Sequence, residues 1–197
     1  MHFCDFEVSS GTKEEQKEAL GLLMLAIHGY NAKRAPADRV AVAFPRYQAG
    51  TADQAPQPGS CLRVICREPG ALEAFGASHW PLRLLRLGVA TVTAIQPVPQ
   101  HAVGLRVVRD RGFERNLEGS SYQRRQVARA AARGQAARSA PAVKVGRSFG
   151  LPLRSASTGK AFYLDVRVEP MDGPIQWSLD DISAYGLCGP GAAVPAF

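Results

Sequence analysis

The chain has 197 residues, 46% of them hydrophobic, and 24 Lys+Arg against 17 Asp+Glu give it a net charge of +7. That apolar content builds a real core and excludes a disordered chain, and no apolar run approaches the roughly 20 residues that span a bilayer. The first residues, MHFCDFEVSS, have neither the basic nor the long apolar region of a secretion signal, so a cytoplasmic protein with no membrane partner is expected.

Residues 2–9, HFCDFEVS, alternate apolar positions and predict a strand. Residues 12–34 predict a helix: Thr12 is a suitable N-cap with Glu15 three residues on, acids fill the first turn, and Lys33 and Arg34 stand at the end. RVAVAFP (39–45) is a β-rich run stopped by Pro45, and CLRVICRE (61–68) is another after the polar loop QAGTADQAPQPGS. GALEAFGASHWPLRLLRLG (70–88) has a helical pattern broken near Pro81, and VATVTAIQPVP (89–99) is strand-like. The order βαββαβ predicts an α+β protein whose first domain, 1–99, is ferredoxin-like, the arrangement of many RNA-recognition modules and of unrelated proteins as well.

Beyond Pro99 the composition shifts. Residues 101–167 hold 14 Lys+Arg against 4 Asp+Glu, leaving 10 against 13 elsewhere, so the basicity belongs to one region. A field so concentrated is the footprint of a polyanion partner. An alanine-rich helix is expected within this region, with Arg125, Arg129 and Arg133 at four-residue spacing on one face, Arg124 beside them and Gly134 as a stop. A loop, a small sheet and the terminal AYGLCGPGAAVPAF complete a second, RNA-binding domain, 100–197.

The four cysteines are scattered, with no Cys-x₂-Cys pair and no neighbouring His pair. Their expected state is reduced and packed, and neither a zinc site nor any other metal or cofactor is expected.

Residues 153–160, LRSASTGK, put two serines, a threonine, a glycine and a lysine before a strand. A nucleotide-binding P-loop needs glycine five positions before its Gly-Lys pair and a hydroxyl residue after the lysine. Arg154 and Ala161 stand there instead. What remains is a hydroxyl-rich turn flanked by Arg154 and Lys160, suited to a phosphodiester and equally to solvent.

Taken in order, a βαββαβ lobe with His28 late in its first helix, an arginine-rich helix, LRSASTGKAF before a strand, and a terminal YGL…G…VP.F resemble the type I-F CRISPR repeat-processing endoribonucleases. The resemblance covers nearly the whole chain, most strongly over DRVAVAFP, LRSASTGKAF and AYGLCGPGAAVPAF. It implies a cleavage centre of His28, Ser155, Ser157 and Tyr185, a stacking aromatic at Phe162, and a base-contacting arginine at Arg106. Arg109, Arg124, Arg125, Arg129, Arg133, Arg154 and Lys160 complete the expected RNA surface. The family's glutamine two residues beyond its arginine falls on Val108 here.

The chemistry is consistent with that set. RNA supplies its own nucleophile, the 2′-hydroxyl, so the protein needs a base near neutrality, groups that orient the oxygen, and cations around the phosphate. The expected function is metal-independent cleavage at the 3′ base of a repeat hairpin, giving a 2′,3′-cyclic phosphate, with the product retained in a type I-F surveillance complex. The alternative is a hairpin-binding subunit of such a complex that does not cut.

Overall fold

The computed structural model describes residues 1–9, 11–111, 121–136, 147–155, 158–171 and 177–197, with the backbone alone at residues 121 and 122. Strand β1, His2–Val8, leads into α1, Lys13–Asn31. The helix starts where the sequence predicts, because Thr12 and Glu15 satisfy each other's backbone. The Glu15 amide donates to Thr12 Oγ1 at 3.2 Å, and the Thr12 amide donates to Glu15 Oε2 at 2.7 Å. Leu20, Leu23, Met24 and Ile27 follow helical spacing and are fully buried, each contributing about 1.5–3 kcal/mol of burial.

A turn of 3₁₀ helix, Pro36–Asp38, precedes β2, Ala41–Ala43, and the loop after it returns as β3, Cys61–Cys66. The helical stretch expected over 70–88 is two helices, α2, Pro69–Gly76, and α3, His79–Arg86. Its break falls at Ala77–Ser78 and not at Pro81. Pro81 lies in the first turn of α3, where no intrahelical donor is needed.

Residues 89–99 form two short strands, β4, Ala90–Val92, and β5, Gln96–Pro97, in place of one. Both pair with β1, but between them the Asp5 amide donates to Thr93 Oγ1 at 2.9 Å, a side chain standing in for a ladder carbonyl. The first sheet runs β2-β3-β1-β4 with every pair antiparallel. That order is compatible with the βαββ opening of the predicted arrangement.

The second sheet is built from β6, Val103–Arg109, β7, Phe149–Arg154, β8, Ala161–Pro170, and β9, Val194–Ala196, in the order β7-β8-β6-β9 and again antiparallel. Helix α4, Ser121–Ala132, lies between β6 and β7 in the chain. The protein is thus α+β, with two antiparallel sheets.

One apolar core serves both sheets. Helix α1 packs on β7 as well as on the first sheet, and the Phe44 and Phe149 rings meet edge to face at 5.0 Å. At Gly21 the helix comes so close to β7 that a Cβ there would lie 2.2 Å from the Pro152 carbonyl oxygen. On the other face of the first sheet, Arg63 is clamped to Asp5 through Nε and Nη2, at 2.7 and 2.9 Å. Its guanidinium carbon lies 4.4 Å from the centre of the Phe3 ring and 4.0 Å from that of Phe197. All four cysteines are free and buried, and burial pushes the Cys4 and Cys61 thiols up to about 12.

Candidate functional site

His28 stands in the last turn of α1, half-buried, beside the fully buried Ile27. The ring of Tyr185 lies against it, 4.2 Å between centroids and 14° from parallel. The next two residues hold Tyr185 there. Gly186 takes φ +76, and a Cβ on it would sit 3.0 Å from Val42 Cγ1 and 3.1 Å from Ile27 Cγ2. Its carbonyl accepts from the Val42 amide at 3.0 Å, and Leu187 is buried beyond. Only glycine fits a left-handed turn in that gap, so the YGL sequence is the local device that lays the tyrosine on the histidine.

His28 Nδ1 is buried and has no hydrogen-bond partner among the described residues, which leaves Nε2 as the nitrogen open to a ligand. A charged imidazole carries N–H on both nitrogens, and one would lack an acceptor. Burial accordingly holds the His28 pKa below the ordinary imidazole value, which favours the neutral ring. Arg109, at the end of β6, brings its guanidinium carbon to 5.9 Å from the Tyr185 ring centre.

Ser155 opens the turn between β7 and β8. Its amide donates to the Lys160 carbonyl at 2.9 Å, its carbonyl accepts from the Gly159 amide at 2.8 Å, and its Oγ accepts from the Thr158 amide at 3.3 Å. The contacts described unite His28, Tyr185 and Arg109. They tie Ser155 to its own turn, which is carried by the strand on which α1 packs. Ser157 lies outside the described residues.

Arg154 and Lys160, at the two ends of the turn, are exposed, while Phe162 is half-buried and packs against the core. Strand alternation puts Phe162 on the inward face with Leu164 and Val166, while Arg154, opposite Ala161, falls on the other face and Lys160 precedes the strand.

Helix α4 carries Arg124, Arg125 and Arg129 exposed, with Val127 54% exposed between them. Arg133 is exposed just past the helix end, before Gly134. A helix of 12 residues is marginal in isolation.

Arg106 is not free. Its Nη1 donates to Glu169 Oε2 at 3.1 Å and its Nη2 to the Gly189 carbonyl at 3.3 Å. Arg167 Nη2 reaches the other oxygen of the same carboxylate at 2.5 Å. No sequence signal singles out Arg167 and Glu169. They read as ordinary outward positions of a strand, and only the pairing of β6 with β8 brings them to Arg106.

Among the described residues no helix is long and apolar enough to cross a membrane. Residues 3–197 match a family of CRISPR-associated proteins. The chain belongs to that family, Cas_Csy4, the type I-F repeat-processing endoribonucleases. No curated protein matches the chain.

Proposed function

We propose that the chain binds the hairpin of a CRISPR repeat RNA and cuts at its 3′ base by attack of the RNA's own 2′-hydroxyl on the adjacent phosphate. His28 Nε2 takes the 2′-hydroxyl proton, the oxygen bonds to phosphorus, and the bond to the 5′-oxygen of the next nucleotide breaks, that oxygen taking a proton from water while His28 returns its own to solvent. The products are a 2′,3′-cyclic phosphate and a 5′-hydroxyl. Ser155 and Ser157 orient the 2′-oxygen, and Arg154 and Lys160 offset charge on the phosphate.

The observation that carries this reading is the His28–Tyr185 stack. A neutral imidazole at pH 7 is a competent base, and when it takes the proton the tyrosine face receives the resulting cation. That interaction strengthens as the reaction proceeds, as a catalytic contact must.

In this reading residues 1–99 form a ferredoxin-like scaffold that delivers His28, and 100–197 form the RNA-binding half. The α4 arginines follow the stem phosphates, Phe162 stacks on the terminal base pair, and Arg106 reads a base at the foot of the stem. The processed hairpin stays bound as part of a surveillance complex.

The test is cleavage of a cognate repeat RNA by purified protein in EDTA, followed on a denaturing gel. His28→Ala should lower the rate about 10²–10⁴-fold with affinity nearly unchanged. A 2′-deoxy residue upstream of the cut should block it equally. Full activity of His28→Ala, or cleavage of the deoxy substrate, would place the centre elsewhere. A wild-type protein that binds the hairpin and never cuts it is the non-cleaving subunit instead.

A further inference from the structure

We propose that Arg167 is a second base-reading residue: with Arg106 it forms a two-arginine fork that reads guanines in the two base pairs at the foot of the stem. This rests on the hairpin-binding reading above and adds a residue to it. Strands β6 and β8 pair so that Arg106 stands opposite Glu169 and Val108 opposite Arg167. Directly opposed residues share a face of a sheet, as do residues two apart on one strand, so all four side chains lie on one face.

Glu169 there serves two guanidiniums at once, Arg106 on Oε2 and Arg167 on Oε1. One carboxylate balances one arginine, so the cluster keeps a net positive charge. Each guanidinium has five N–H donors, and the three bonds to Glu169 and Gly189 use only three of the ten. Both Nε atoms are buried without a hydrogen-bond partner among the described residues, so the fork each guanidinium offers a ligand is its Nη pair.

The side chains of Arg106, Arg167 and Glu169 are 28, 36 and 29% exposed, held in place yet reachable. Phosphate contacts need only charge and are served by the long exposed arginines of α4. A guanidinium fixed on a sheet presents its fork at a set angle, which is what bidentate contact with guanine O6 and N7 requires. The deep groove of A-form RNA closes base edges to side chains except where a stem ends. The foot of the stem is thus the place for such a fork. Val108 has no polar atom for reading, but Arg167, directly across from it, places donors at that same point of the face.

The experiment measures binding of the full chain to hairpins of one stem whose two foot pairs are G·C in all four strand arrangements. The tightest is then remade with 7-deazaguanine, which lacks the N7 acceptor, at one pair or the other. Wild type should lose about tenfold or more at each position. Arg106→Ala should become indifferent to one deaza position and Arg167→Ala to the other. Arg167→Lys, which keeps charge and stem, should behave as Arg167→Ala does, and melting curves confirm that both are folded.

If Arg167→Ala keeps both discriminations, the assignment is wrong. It is also wrong if the variant weakens all hairpins alike with a salt slope lower by about 1, the mark of a phosphate contact. A wild type that binds hairpins with no preference at the foot overturns the fork alone. One that binds no hairpin overturns the underlying reading.

Discussion

The imidazole of His28 and the phenol ring of Tyr185 lie face to face, 4.2 Å between centroids, although 157 positions of sequence separate them. If the ring's face, and not its hydroxyl, is what matters, Tyr185→Phe should cleave at nearly the wild-type rate. Tyr185→Ala should lose roughly 0.5–2 kcal/mol of transition-state stabilisation, a few-fold to about 30-fold in rate. Single-turnover cleavage with saturating protein separates the two variants. A Tyr185→Phe protein as slow as Tyr185→Ala would assign the effect to the hydroxyl.

The lowered pKa of His28 fixes the direction of two pH effects. The acid limb of the cleavage profile should have its midpoint below about 6.5, the unperturbed histidine value, so activity persists further into acid than a free imidazole allows. For stability the unfolded chain binds the proton more readily, so the His28 contribution is fully present above about pH 6.5 and is lost as pH falls toward the folded pKa. His28→Ala should remove the acid limb from residual cleavage and flatten this part of the stability profile in urea titrations.

Gly21 and Gly186 bring the pieces of the site together, and each should fail in its own way. A methyl at Gly21 meets the Pro152 backbone, which no rotamer change relieves. Gly21→Ala should therefore push α1 off β7, costing roughly 1–3 kcal/mol, and, in the proposed mechanism, slow cleavage by shifting His28 relative to the Ser155 turn. Gly186→Ala adds roughly 1–2 kcal/mol of left-handed strain to its contacts with Val42 and Ile27. It should slow cleavage by moving Tyr185 more than it weakens hairpin binding. Denaturant midpoints read beside cleavage and binding constants check both.

Much of this arrangement is legible in the sequence, and the reasons differ by element. The start of α1 is readable because the Thr12–Glu15 capping box acts within four residues. The stop at Gly134 is local in the same way. The break between α2 and α3 is misread at Pro81 because proline signals a helix end in general but is neutral in a first turn, and which applies depends on where the helix begins. The division of 89–99 into β4 and β5 depends on Thr93 meeting Asp5, a partner 88 residues away. For the same reason His28 and Tyr185 are recognisable only through a family resemblance, and the Arg106, Glu169 and Arg167 cluster is not recognisable at all. Strand register carries no local signal when both strands read as β.

Arg129→Ala tests the electrostatic role of α4. Counterion release by one arginine should lower the salt slope of hairpin binding by about 1 and weaken hairpins of different sequence alike. An affinity independent of salt in the wild type would remove α4 from the RNA interface. A change in base preference on this substitution would mean that the helix reads sequence.

Arg63→Ala should be among the most damaging substitutions, since it strands Asp5 and removes the guanidinium that packs against both the Phe3 and Phe197 rings. Leaving one partner of a buried ion pair alone costs roughly 3–5 kcal/mol. Thermal melting should show the loss, and Arg63→Lys should recover only part of it, because an ammonium cannot hold both carboxylate oxygens in a bidentate fork and has no planar face to pack against the rings.

That same clamp decides which surface a nucleic acid can use. In open four-stranded RNA modules, bases stack on aromatic side chains of the sheet. Here Phe3 is spent on Arg63 and Phe197, so this ring of the first sheet is no platform for a base. A saturation library sorted for hairpin binding should consequently divide in two. Substitutions at Phe3, Asp5 and Arg63 should score only through the amount of folded protein and be rescued by lower temperature. Those at Arg106, Arg129 and Arg167 should stay defective at every temperature, their defect lying in what the folded protein can grip.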